Sequence, residues 1–112
     1  MMTLLKKQRD LFPGALEMMI LQSLRARPMH GYALVQHIQQ RSDSLLDVEE
    51  GSLYPALQRM LKAELVDAEW QISATNRRIR TYSITAKGKK HLAEEVSRFE
   101  SMLQGIQLVL SS

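Results

Sequence analysis

The stretch Gly51-Ser52-Leu53-Tyr54-Pro55-Ala56-Leu57-Gln58-Arg59-Met60-Leu61-Lys62 decides how the rest of the chain is understood. Leu53, Leu57, Met60 and Leu61, with Leu65 beyond them, recur at helical spacing and form an apolar stripe. Tyr54, Gln58, Arg59 and Lys62 fall on the other side. Pro55 lies in the first turn, where proline is tolerated, and Ser52 is expected to cap that turn with its hydroxyl. The product is a helix with an apolar back and a polar, basic front.

Two helices are expected before it. Pro13 suits a first helical turn, and Leu16, Met19, Ile20 and Leu24 follow at helical spacing. Arg27-Pro28 ends that helix, because a residue before proline is pushed out of the α region. The first helix is therefore placed over 13–26. The second runs from Gly31 to Ser42, with Leu34, Val35 and Ile38 as its apolar stripe. Residues 43–50 are an acidic loop whose Leu45, Leu46 and Val48 are expected to anchor to the core. Residues 1–12 are polar and basic, with Leu4, Leu5, Leu11 and Phe12, and suit either a short extra helix or a loose arm.

Beyond the third helix come two extended segments, near 66–73 and 78–84. Trp70 and Ile72 alternate in the first, and Arg80, Tyr82 and Ile84 in the second. Ala74-Thr75-Asn76-Arg77 joins them, giving a β-hairpin with basic residues at its tip. Trp70 is expected to pack in the core or an interface. Thr85 can cap a last helix from Ala86 to Leu110. In it Leu92, Val96, Phe99, Leu103, Ile106 and Leu110 form a regular heptad seam. At 1.5 Å per residue this helix would be ~36 Å long, too long for a compact domain of this size to cover. Leu92, Val96, Phe99, Leu103, Ile106 and Leu110 are therefore the candidate dimer interface.

The fold class that follows is mainly α with a small β-hairpin: a winged helix-turn-helix plus a long C-terminal dimerisation helix. Residues 1–12 form the arm, 13–85 the DNA-binding domain and 86–112 the dimerisation helix. A helix-turn-helix presents one helix to the major groove, which is wide enough to admit it. Gln58 matches adenine and Arg59 guanine in bidentate geometry. Lys62 suits a phosphate as a flexible point charge. Arg77 and Arg78 at the wing suit phosphate or the minor groove. Ser52, Tyr54, Gln58, Arg59, Lys62, Arg77 and Arg78 are thus the candidate DNA-binding residues.

Composition allows this and narrows the alternatives. The 112 residues suit one domain, and the formal net charge of +3 is compatible with a polyanion partner. Without cysteine there are no disulfides and no thiolate zinc site, which fits a reducing cytoplasm. No run of about 18 apolar residues predicts a membrane span, and no apolar stretch after Lys6, Lys7 and Arg9 predicts a secretory signal. His30 and His37 stand seven apart with no further ligands at short spacing, so no metal and no cofactor is expected. The three histidines have no serine or carboxylate array around them, so no catalytic residue is assigned. A winged helix turned protein-interaction module would have shed the charge that Arg59 and Lys62 keep.

Three segments carry a resemblance. Gly51-Ser52-Leu53-Tyr54-Pro55-Ala56-Leu57-Gln58-Arg59-Met60 resembles the signature of the PadR-like family of transcriptional regulators. His30-Gly31-Tyr32-Ala33-Leu34 is similar to that family's second-helix motif. Arg77-Arg78-Ile79-Arg80-Thr81-Tyr82-Ser83-Ile84-Thr85-Ala86-Lys87-Gly88 resembles its wing strand and the start of its last helix. The likeness covers about 12–110 and points to the short subclass with a single C-terminal helix. It implies a cytoplasmic homodimer that binds double-stranded DNA and represses promoters, with Tyr54 on the DNA backbone and the last helix dimerising. Some relatives sandwich flat aromatic compounds between tryptophans of the paired last helices. Here Phe99 is that helix's sole aromatic residue, so no effector is carried over, and a small-molecule partner stays unidentified.

Overall fold

The computed structural model describes residues 14–112, so Pro13 and the arm 1–12 lie outside the described residues. The elements are α1 (Ala15–Ala26), β1 (Met29–His30), α2 (Gly31–Arg41), α3 (Glu50–Lys62), β2 (Val66–Ile72), β3 (Arg78–Ile84) and α4 (Ala86–Leu110). Leu16, Ile20, Leu21 and Leu24 turn one face of α1 into the core, and Arg27 leaves the helix in extended backbone before Pro28.

Four helices and a small sheet contribute to the core. Leu34 and Ile38 of α2, Leu53, Ala56, Leu57 and Met60 of α3, and Val66 and Tyr82 of the sheet meet the α1 stripe there. The sheet is antiparallel, in the order β1-β3-β2. The third strand is an addition to the expected hairpin. Met29 pairs with Tyr82 and His30 with Thr81, a ladder too short to show any alternation in sequence. His30 also caps α2, its Nδ1 accepting from the Ala33 N–H at 3.3 Å.

The junctions differ from expectation where local rules compete. Helix α3 starts before Ser52. Its N-cap is Glu49, which makes no side-chain cap, and Ser52 lies inside the first turn with its N–H bonded to Glu49 O at 3.0 Å. Glu50, read in sequence as loop, occupies the first turn, where a carboxylate meets the positive end of the helix dipole. In the preceding loop Val48 is buried and Leu46 half-buried, whereas Leu45 is 51% exposed rather than anchored in the core.

Helix α3 ends in a tight reversal. Leu65 N–H bonds Met60 O at 2.9 Å and Glu64 N–H bonds Leu61 O at 3.0 Å, with Glu64 left-handed at φ 63°. This is the Schellman arrangement, completed by the buried Met60 and Leu65. The last helix is clamped to that turn. Thr85 Oγ1 donates to Glu64 O at 2.7 Å and accepts from Gly88 N–H at 2.9 Å. Gly88 runs so close to the turn that a Cβ on it would lie 2.1 Å from Leu65 O.

From this clamp α4 runs out of the domain. Leu92 is 2% exposed and belongs to the chain's own core, and Val96 packs against that core. This corrects the place of Leu92 in the candidate interface: the heptad seam begins inside the domain, and no free surface remains on this residue. Phe99 is half-buried, and beyond it Leu103, Ile106 and Leu110 are exposed together with Met102, Leu108 and Val109. No helix among the described residues is long and apolar enough to cross a membrane.

Candidate nucleic-acid interface

The buried positions of α3 leave one outward row. Gly51, Tyr54, Pro55, Gln58 and Lys62 are all exposed, and their three- and four-residue spacing stacks them on one face. Tyr54 is 41% exposed because its ring lies back over α2. A Cβ on Gly31 would come within 2.4 Å of the phenol oxygen, so the glycine opening α2 is what lets the tyrosine lie there. Burial, then Glu50 and Tyr82 nearby, raise the Tyr54 pKa above its ordinary 10.0. The phenol therefore keeps its proton at neutral pH and can donate a hydrogen bond.

Arg59 occupies a different position from the other α3 candidates. Its guanidinium reaches Glu17 of α1 at 3.2 Å, which pulls it to the flank of the outward row. Sequence could not show this, because the partner lies 42 residues away. Ser52 is half-buried in the first turn, beside the row rather than on it.

The wing brings a second basic group. Val66 to Ile72 pair with Ile84 to Arg78 in unbroken register, and residues 73–77 close the hairpin. Ser73 N–H bonds Arg77 O at 2.8 Å, and the Ser73 hydroxyl accepts from Arg77 N–H at 3.2 Å. Asn76 takes the left-handed position at φ 61°, where asparagine is tolerated. Arg77 and Arg78 are exposed at this end.

Of the two packing roles expected for Trp70, the core of this chain is not where it lies. It is 58% exposed on the wing, with Arg78 4.6 Å and Arg80 5.6 Å from its ring centroid. Alternation put it on the core-facing side of β2, and it is on that side. The core, however, ends at Val66 and the half-buried Ala68.

A separate recess of about 490 Å³ lies between α1 and α2, lined by Met19, Gln22, Ala26, His37, Ile38 and Arg41 among others. Desolvation there, with the charges of Arg27 and Arg41, lowers the His37 pKa below 6.5.

Comparison with known proteins gives one family. The Transcriptional regulator PadR-like family matches residues 20–94. A transcriptional regulator from Clostridium thermocellum superposes with a TM-score of 0.77 at 26% identity, over 84% of this chain and 88% of the other. A PadR-like transcriptional regulator from Bacillus cereus gives 0.75 at 28%, over 88% and 94%. The fold is shared with Bacillus subtilis PadR in complex with operator DNA, at a TM-score of 0.67 and 21% identity, over 73% of this chain and 46% of that one.

Proposed function

The chain belongs to the PadR-like family of transcriptional regulators, and from that premise we propose that it is a repressor that binds double-stranded DNA sequence-specifically as a homodimer. The observation that carries this reading is the outward row of α3. Tyr54, Gln58 and Lys62 share one exposed helix face, on an element whose other side is wholly committed to the core. Gln58 in the major groove meets adenine N6 and N7. Lys62 and Tyr54 meet phosphates, the tyrosine as a neutral donor. Arg77 and Arg78 extend the contact from the wing. Arg59, paired with Glu17, serves the backbone at the flank or swings to a guanine once Glu17 releases it. The operator-bound Bacillus subtilis protein of the same fold supports the DNA assignment.

The outer half of α4 supports the dimer. Leu103, Ile106 and Leu110 continue the heptad into solvent, and large apolar side chains are each worth roughly 1.5–3 kcal/mol when fully buried. Val96 and Phe99 would join them at the edge of the domain. Two-fold symmetry then places the recognition helices about 34–36 Å apart, or a multiple, and requires an inverted-repeat operator. A cytoplasmic location accompanies this role.

The test is selection of duplexes from a random-sequence pool, followed by binding across a salt series. The selected sequences should be inverted repeats, with log affinity falling by about 0.9 per neutralised phosphate against log salt. Lys62→Ala should weaken all duplexes alike. Leu103→Glu should yield monomer, read by light scattering, with a loss of affinity larger than one contact explains. Failure to select any duplex sinks the function, and a folded monomer at micromolar concentration sinks the assembly.

A further inference from the structure

The wing carries a feature that the reading helix does not account for. Val66, Ala68, Tyr82 and Ile84 form the core-facing side of the β2–β3 pair. Strand alternation carries that side outward to Trp70, Ile72, Arg78 and Arg80. Past the end of the core Trp70 and Ile72 are 58% and 64% exposed. Trp70 sits directly opposite Arg80 in the register, and Arg78 lies diagonal to it. Both guanidinium groups lie over the indole, at 4.6 and 5.6 Å from its centroid.

Neither arginine has a carboxylate partner among the described residues. The nearest acids on β2, Asp67 and Glu69, alternate to the opposite side, where they pair with Ser83 and Thr81. Arg80 Nε is buried and makes no hydrogen bond among the described residues. Two cations thus lie over one tryptophan ring with no anion beside them among the described residues. A ring contact occupies the flat face of a guanidinium and leaves in-plane N–H groups for a phosphate, all of them at the exposed Arg78 and the terminal nitrogens at Arg80, whose Nε is buried. Arg80 also lines the recess along the β2 edge that Leu61 of α3 and Glu64 of the turn after it share, so its side chain adjoins the end of the helix that carries Lys62.

Building on the DNA-binding reading above, we propose that Trp70 is a positioning residue of the wing, holding Arg78 and Arg80 against the sugar–phosphate backbone of bound DNA. Arg80 joins the contact set, and the indole edge and Ile72 line the same backbone. The stack fixes two long side chains before the DNA arrives, so less freedom is lost on binding.

Trp70 is the chain's single tryptophan, so its emission reports on this one place. The probe is a duplex selected by the wild-type protein from a random-sequence pool. Titration with it should change Trp70 emission and saturate together with the anisotropy of the labelled duplex. Trp70→Ala should weaken binding about fivefold to twentyfold, on the scale of two exposed cation–π contacts, and Trp70→Phe should restore most of it. Arg78→Ala and Arg80→Ala should each lower the salt slope by about 0.9. Thermal midpoints should stay near wild type, since none of these side chains belongs to the core. Tight binding with unchanged emission, or a Trp70→Ala protein that binds as wild type, would overturn this role while leaving the DNA-binding reading intact. Failure to obtain any bound duplex would overturn both.

Discussion

A methyl group on Gly31 would lie 2.4 Å from the Tyr54 phenol oxygen and 2.6 and 2.7 Å from two ring atoms. That is about 1 Å inside an ordinary contact, so the ring must leave its seat over α2. In a wild-type background Gly31→Ala sets two effects against each other. Alanine in a helix gains about 0.5–1 kcal/mol over glycine, while forcing a packed ring aside costs about 1–3 kcal/mol. The net expectation is a loss of about 0.5–2 kcal/mol. In a Tyr54→Ala background the obstacle is gone, and the same substitution should stabilise by about 0.5–1 kcal/mol. Urea unfolding of the four proteins at one fixed protomer concentration closes the cycle. The sign should reverse between backgrounds, with a coupling of about 1–3 kcal/mol. DNA affinity should fall in Gly31→Ala as well, because the displaced phenol leaves its place on the outward row. Equal effects of Gly31→Ala in both backgrounds would refute the reasoning.

Other consequences are as direct. Glu64→Gly, at the left-handed turn after α3, should raise stability by about 0.5–1 kcal/mol, since glycine suits that backbone and the Glu64 carbonyl bonded by Thr85 is retained; a loss would show the side chain matters there. His37 has its pKa lowered by desolvation and then by Arg27 and Arg41. The unfolded chain therefore takes up the proton first as pH falls below 6.5, and stability should decline there and be flat above. Melting His37→Gln across pH 5–7 should show that slope removed, and an unchanged slope would contradict it. Glu17→Gln releases Arg59 from its exposed ion pair, so stability should move by less than about 1 kcal/mol. Anisotropy titrations should then show tighter duplex binding and a steeper salt dependence; weaker binding would mean that Glu17 orients Arg59 usefully.

Much of this architecture was legible because periodicity is legible. The stripes of α1, α2 and α3 and the alternation of the hairpin place every main element within a few residues. What escaped has physical reasons. Two residues of β1 cannot display a period. The acidic run Asp47-Val48-Glu49-Glu50 looked like loop because charge masks a helix start that the dipole favours. Alternation assigned Trp70 to the correct side of its strand, but a pattern along one strand does not say how far the core beneath it extends. The same applies to Leu92, where a single heptad seam passes from the chain's own interior into solvent without a break in spacing. Arg59 was legible as basic and helical, but its attachment to Glu17 depends on how α1 crosses α3. The three motif segments were the more specific signal, and the family match at residues 20–94 takes in all three.

The clamp at the start of α4 has a mechanical consequence. The helix is tied at its start by the Thr85 hydroxyl and by the close passage of Gly88 over Leu65 O, and along its first half by Leu92 and Val96 on the core. Past the half-buried Phe99 its outer half projects about 16 Å. A tilt of about 10° in that packing swings the far end by about 3 Å, close to one base-pair step along a duplex. In the proposed dimer the separation of the two reading helices thus depends on the angle at which the inner half of α4 lies on its own domain. Substitutions at Glu64, Leu65, Thr85 or Gly88 would retune which operator spacing fits, while every side chain that meets a base stays as it is.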